Sequence, residues 1–144
     1  MILHVAVLCD AATDHAGKLN ILGAFDTIAG TRFPLVHPHC AIALRMRFGP
    51  MEEGRHKLAL SLIDGDGRDM VKPVELNMTV RIPADGYFVS HNAVINFERL
   101  AFKSPGQYAF GIALDGRPQT TIPLQIVQVT PKKRPPANPG ENAS

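Results

Sequence analysis

A regular alternation along the chain is the feature that most constrains its fold. Apolar side chains occupy every second position of one segment, namely Cys40, Ile42, Leu44, Met46 and Phe48. The same period recurs in residues 74–82. Because successive side chains of a β-strand point to opposite faces, this period predicts strands that bury one face. A sheet with one apolar face must cover it with a second layer, so the chain is expected to pack sheet against sheet.

Further strand signals extend this pattern over most of the chain. Alternating or continuously apolar segments lie at 2–8, 19–25, 40–48, 58–62, 74–82, 94–102, 108–114 and 122–126. Turn sequences separate several of them, including Asp64-Gly-Asp-Gly67, Ser104-Pro-Gly-Gln107 and Asp115-Gly116. Amphipathic spacing typical of a helix is lacking. We therefore predict an all-β fold, an antiparallel β-sandwich of about eight strands and immunoglobulin-like in character, with a closed barrel as the alternative.

The chain length of 144 residues suits one domain. We assign residues 1–130 to the sandwich and residues 131–144 to a Pro-rich, basic tail that we expect to be disordered. The segment 26–39 is long for a connection. It is either a crossover between sheets that carries a short strand of its own, or a binding loop.

The charge distribution argues against a nucleic-acid partner. The tail holds Lys132, Lys133 and Arg134 against Glu141, which leaves 12 basic and 12 acidic residues in the body. A balanced body offers no large field for a polyanion. Ala41, Ala43, Arg45 and Arg47 share one strand face, which we interpret as a solvated outer face. We expect no nucleic-acid binding.

The sequence also predicts a location. The apolar N-terminus is short and carries His4 without a basic flank, which does not fit a signal peptide. No run reaches the 18 apolar residues of a membrane helix, so we expect no membrane contact and a cytoplasmic protein. If the strands simply alternate in direction, Cys9 and Cys40 fall at opposite ends of the sandwich. We therefore predict two free thiols.

Several motifs together resemble a known family. They are Cys9-Asp10, the segment Gly17–Asp26, Phe33-Pro34 with His37-Pro38, the segment Phe102–Phe110, and Leu114-Asp-Gly116. Over residues 2–129 the chain resembles a family of small bacterial proteins of unknown function. The resemblance implies a compact bacterial β-domain and carries over no catalytic residue. Pro105-Gly-Gln-Tyr108 also resembles the strand entry of many immunoglobulin-like sandwiches.

Two groups of residues raise the question of a metal. Asp64, Asp66 and Asp69 lie in one predicted hairpin, to which Asp26 would be added from another loop. Their spacing departs from a helix-flanked calcium loop, and a plain hairpin turn is the preferred interpretation. His37, His39 and Cys40 offer zinc-type ligands, but their spacing fits no finger, and we interpret them as residues capping a sheet. We expect no cofactor, with a calcium, zinc or small-ligand site at one end as the alternative function.

Catalytic motifs are not found in the sequence. Asp10, Asp14 and His15 could bring a carboxylate beside an imidazole, but they have no nucleophile with them. Ser90 and His91 are neighbours whose side chains would point to opposite faces of a strand. We therefore predict that the chain is not an enzyme and has no catalytic residues.

The segment 83–92 is the most suggestive candidate for function. Tyr87 and Phe88 follow Gly86, and aromatic residues on a loop are typical of an interaction surface. His91 and Asn92 complete the predicted contact set; the alternative is that Phe88 plugs the sandwich. We predict a non-catalytic protein-interaction or assembly module with an unidentified protein partner, or a homodimer formed through an edge strand.

Overall fold

Two β-sheets make up the fold in a computed structural model that describes residues 1–131. The strands are β1 (Ile2–His15), β2 (Lys18–Ala24), β3 (Thr27–Gly30), β4 (Leu35–Phe48), β5 (Gly54–Ile63), β6 (Val74–Val80), β7 (Val89–Phe102), β8 (Gly106–Leu114) and β9 (Arg117–Gln128). A single turn of 3-10 helix spans Pro50–Glu52. The predicted all-β fold is confirmed. The predicted tail lies almost wholly outside the described residues.

The strand order gives one four-stranded and one five-stranded sheet. The first runs β2-β1-β4-β7 and the second runs β3-β9-β8-β5-β6. All neighbours are antiparallel except β3 and β9, which are parallel. The prediction of about eight antiparallel strands missed β3, which lies in the segment 26–39. That segment is therefore the crossover with its own short strand, the first of the two alternatives stated for it.

The core lies between the sheets, where the alternating apolar residues meet. Ile42, Phe48, Leu60 and Phe110 are buried, as the alternation predicts. Phe97 of the first sheet meets Phe110 of the second with ring centroids 5.5 Å apart. Leu76 departs from the pattern and is exposed, because β6 lies at the edge of its sheet.

The hairpin β1–β2 folds back over the outer face of the first sheet. Only the first part of β1, up to Cys9, pairs with β4, and the rest pairs with β2. The turn between them returns to β4 and β7, since the Gly17 carbonyl accepts hydrogen bonds from Arg45 and Asn92, each at 3.1 Å. Opposite Asp10, Gly23 has φ +69, and a Cβ there would lie 2.5 Å from the Asp10 carboxylate. Glycine therefore permits the close approach at the point where the hairpin bends.

This arm, defined as residues 10–24, covers small side chains of β4. Ala41 and Ala43 are fully buried beneath Ala12 and Leu19. The predicted solvated outer face is therefore wrong for the two alanines, although Arg45 and Arg47 lie on the same side. The sequence analysis placed residues 9–18 between two predicted strands, at 2–8 and 19–25, and was wrong there, since all but two of those residues form strands.

The two cysteines lie close together, not at opposite ends of the sandwich. Cys9 is paired with Ala41, the residue next to Cys40. Cys9 points into the cluster under the arm and Cys40 into the core between the sheets, so the two side chains face opposite ways. Both thiols are free, as predicted, although the reason given for it was wrong. Burial raises the pKa of Cys9 and raises that of Cys40 to about 11, which keeps both thiols protonated.

Candidate functional site

Exposed apolar side chains gather at one end of the sandwich. Met51 of the 3-10 turn is 97% exposed, and Tyr87 and Phe88 before β7 are 87% and 54% exposed. Ile2, at the start of β1, is also exposed and is paired with Arg47 of β4. Since large apolar side chains cost free energy in water, a group of them at one end is the feature that most needs a functional explanation.

The two aromatic residues sit on a turn that the fold holds in place. The Gly86 amide donates to the Pro83 carbonyl at 2.8 Å. The Ile82 amide donates to the Glu53 carboxylate at 2.8 Å, which joins this loop to the one carrying Met51. These bonds fix the backbone before Tyr87, and the pairing of Val89 with Phe48 fixes it after Phe88, so the two aromatic side chains are presented from an ordered loop.

Phe88 does not plug the sandwich. Its ring lies beneath the Arg47 guanidinium, with the guanidinium carbon 5.3 Å from the ring centroid. This cation–π contact covers one face of the ring and leaves the other side exposed. The alternative in which Phe88 closes the core is therefore not what the structure shows.

The other two residues of the predicted contact set make contacts within the fold. His91 packs edge-on against Phe48, with ring centroids 5.7 Å apart. The Asn92 amide donates to Asp14 and Gly17 of the arm, and its oxygen accepts from Arg45 at 2.8 Å. Asn92 thus holds the arm in place. Of the four predicted contact residues, Tyr87 and Phe88 are the exposed ones.

A hydrogen-bonded histidine lies beside this surface. In His56, Nδ1 is 2.6 Å from the Asp115 carboxylate, and Nε2 is 2.6 Å from the Glu52 carbonyl oxygen. Both partners are acceptors, so the imidazole satisfies both only when it carries two protons. The Glu52 carbonyl and the Asp115 carboxylate therefore raise the pKa of His56, while the Lys57 amide and His56 lower that of Asp115. With both ring nitrogens occupied, His56 works as a structural clamp rather than a proton donor to substrate.

This clamp predicts a pH dependence of stability. A histidine whose pKa is raised by folding stabilises the protein fully below its ordinary value of 6.5, and this contribution is lost as the pH rises through the raised pKa. We expect the free energy of unfolding to fall as the pH rises from about 6.5 through the raised pKa of His56. His56→Gln, which lacks a charge to lose, should flatten that slope in urea titrations. An equal slope in both proteins would contradict the role of His56.

The carboxylates proposed for a metal lie at the other end and do not form a metal-binding group. Asp64, Asp66 and Asp69 line an open cleft of about 580 Å³ between the hairpin after β5 and the turn before β8, but Asp26 does not line it. Asp64 accepts from the Asp66 and Arg68 amides, each at 2.9 Å, and so shapes its own turn. Across residues 1–131, no three His, Cys, Asp or Glu side chains are placed to share an ion.

The residues considered for zinc point in different directions. His39 pairs with the Glu98 carboxylate at 2.7 Å on the outside of the sheet. His37 packs against Phe25 at a centroid distance of 5.6 Å, while Cys40 points into the core. The pleat of β4 directs the neighbours His39 and Cys40 to opposite faces, and His37 is engaged with Phe25, so the three side chains do not converge.

The residues considered for acid–base chemistry lie in the arm. Asp10 contacts Gly23, and Asp14 accepts from Asn92 at 3.3 Å. Asp10 thus lies against the arm itself, and Asp14 is bound to β7. Met51 and Ile2 are the surface residues that the sequence analysis missed. The available signal for Met51 was a large apolar side chain in a turn, directly after Pro50 and before Glu52 and Glu53.

Among the described residues, no helix has the length and apolar character to cross a membrane. A family model described as a family of unknown function (DUF6941) matches residues 4–127, and the chain belongs to this family. No curated protein matches the chain.

Proposed function

We propose that this member of the family of unknown function (DUF6941) is a non-catalytic protein-interaction or assembly module. The observation that supports the proposal is the exposed apolar surface formed by Met51, Tyr87 and Phe88 at one end of the sandwich. We call these three residues the end surface. His56 and Asp115, which lie beside the 3-10 turn that carries Met51, are engaged in holding the fold.

The chemistry of the end surface suits a protein partner. Aromatic residues and methionine are enriched in protein interfaces, where their large apolar area is removed from water. The hydrogen bonds of the 81–88 loop hold Tyr87 and Phe88 in position before binding, which lowers the entropy cost of association. The balanced charge of the body favours a protein over a nucleic acid.

The same proposal includes the setting of the protein. We place it in the bacterial cytoplasm, where two buried free thiols are typical of a reducing compartment. We also propose that the sandwich is immunoglobulin-like in character, on the basis of its two packed sheets and hairpin connections. Such sandwiches commonly bind through the loops at one end.

A capture experiment from the native host tests the proposal. The tagged protein and the Tyr87→Ser/Phe88→Ser variant serve as baits, with Leu22→Ser as the matched control because Leu22 is 70% exposed on the arm. We expect one or more proteins to be captured by the wild type and by Leu22→Ser, and to be reduced at least about tenfold on the double variant, as for the loss of interface anchors. Direct titration of the purified partner into each of the three proteins should give similar affinities for the wild type and Leu22→Ser and a lower affinity for the double variant.

Equal recovery by all three baits would contradict a role for the two aromatic residues. The alternative class, a calcium, zinc or small-ligand protein, has its own outcome. A melting temperature that rises by several degrees with calcium or zinc and falls again with chelator would replace the interaction proposal, since a ligand that binds only the folded state stabilises it.

A further inference from the structure

The strand β7 has one unpartnered edge. It pairs with β4 over its whole length and forms the outer strand of the first sheet. Within residues 1–131 no strand or side chain bonds to the backbone of its other edge. Its outward N–H and C=O groups are therefore free to pair with another strand.

The free edge is chemically unprotected over nine residues. Residues 89–97 read Val-Ser-His-Asn-Ala-Val-Ile-Asn-Phe and contain no Lys, Arg, Asp, Glu, Pro or Gly. Charges, prolines and bulges are the usual means of preventing edge-to-edge pairing. The first such device is at Glu98 and Arg99, where Arg99 has φ +53. The buried side chains change from odd to even positions there, from Phe97 to Leu100.

The other three edge strands are protected. The arm strand β2 carries Lys18 and the positive-φ Gly23. Strand β3 is four residues long. Strand β6 carries Glu75, which pairs with Lys57 at 2.8 Å. Among the edge strands of residues 1–131, only β7 combines length with a long uncharged segment.

The segment can pair with itself without opposing charges. When two copies pair antiparallel about Ala93, Ser90 faces Asn96 of the second copy and Val89 faces Phe97 of the second copy, which joins polar with polar and apolar with apolar side chains. Asn92 faces Val94 and His91 faces Ile95, which are mixed pairs. No like charges oppose each other, because the segment has none. The smallest side chain, Ala93, lies on the two-fold axis.

We propose that β7 pairs with β7 of a second copy of this chain, in antiparallel register about Ala93, to form a two-fold symmetric dimer with one continuous eight-stranded sheet. This proposal goes beyond the interaction module, because it uses a surface other than the end surface and names its occupant. The interface is isologous, with the same segment on both sides.

The C-terminal segment of the same chain is a poorer occupant. Residues 131–144 contain four prolines, which lack the N–H that a strand ladder needs. The segment also follows β9, which belongs to the second sheet. A second copy of β7 offers a donor and an acceptor at every residue.

Sedimentation of the full chain tests the dimer. We expect a concentration-dependent rise towards twice the chain mass of 15.6 kDa, between about 10 µM and about 500 µM, a range suited to a small interface. A species that stays monomeric throughout would overturn the proposal.

Two double variants then test the edge and the register. Ser90→Lys/Asn96→Lys places ammonium groups opposite one another on both sides of the axis, and should weaken dimerisation by roughly tenfold or more. Ser90→Glu/Asn96→Lys places a carboxylate opposite an ammonium at the same positions, and should restore it. Circular dichroism checks folding, and Asn96→Lys alone, at an exposed position, is used if the double lysine variant unfolds. A dimer insensitive to these changes, or weakened equally by both double variants, would overturn the proposal.

Discussion

Phe110→Ala is expected to lower the free energy of unfolding by about 3–5 kcal/mol, the usual cost of deleting a buried aromatic side chain. Phe110 is fully buried, and its neighbours on the adjacent strands are Leu62 and Ile122. Its ring also meets Phe97 of the other sheet. Removing it leaves a cavity exactly where the two sheets are joined. Because small domains are stable by only about 5–15 kcal/mol, this is a large share of the total. Urea titration of the wild type and Phe110→Ala measures this loss in the free energy of unfolding.

Phe88→Ala is the matched control, since the same atoms are deleted from an exposed ring. Phe88 is 54% exposed and loses its contact with Arg47, so we expect a change of about 1 kcal/mol or less. Equal effects of the two substitutions would mean that the sheets do not meet at Phe110.

Ala43→Asp is expected to destabilise the fold by about 3 kcal/mol or more, because it buries a carboxylate without a partner. Ala43 lies between Val7 and Val94 and is covered by the arm. A short side chain cannot reach water from beneath that cover. Thermal and urea denaturation both report the loss.

Ala101→Asp makes the same change on β7 of the same sheet, where the side chain is exposed. We expect a cost of about 1 kcal/mol or less, the range of strand preference. If Ala43→Asp proves as mild as Ala101→Asp, the arm does not cover β4 in solution.

Alternation predicts the strands that have one apolar face. In residues 40–48 of β4 and 108–114 of β8, every second residue is both apolar and buried, so the period alone identifies Ile42 and Phe110 as core. The sequence also predicted the Asp115-Gly116 turn, and both residues adopt the positive φ that this type of hairpin requires. These features depend on neighbours in the chain, which is why sequence alone suffices.

The features that sequence reasoning missed depend on distant contacts. Strand β3 has four residues and exists because it pairs with Gln125–Gln128 of β9. The alternation of apolar residues does not predict that the arm covers β4, because Ala41 and Ala43 are small enough to suit either a solvated or a covered face. The pairing of Cys9 with Ala41 follows from the length of β1 and β4, which the apolar runs at 2–8 and 40–48 understated.

The candidate site was predicted in part. The sequence correctly indicated the loop carrying Tyr87 and Phe88 as a place where aromatic residues occur outside a strand. It did not reveal that Asn92 would be needed by the arm, because their contacts, with Asp14 and Gly17, span more than 70 residues. The end surface and the β7 edge adjoin at Phe88 and Val89, so the two proposed means of association use neighbouring parts of the molecule.

Hydrogen–deuterium exchange of the chain, alone and with a captured partner at the same chain concentration, tests the central claim most directly. The account predicts slower amide exchange in residues 81–88, with no change in the cleft formed by residues 64–70 and 103–107. Protection confined to that cleft, with the 81–88 loop unchanged, would contradict it.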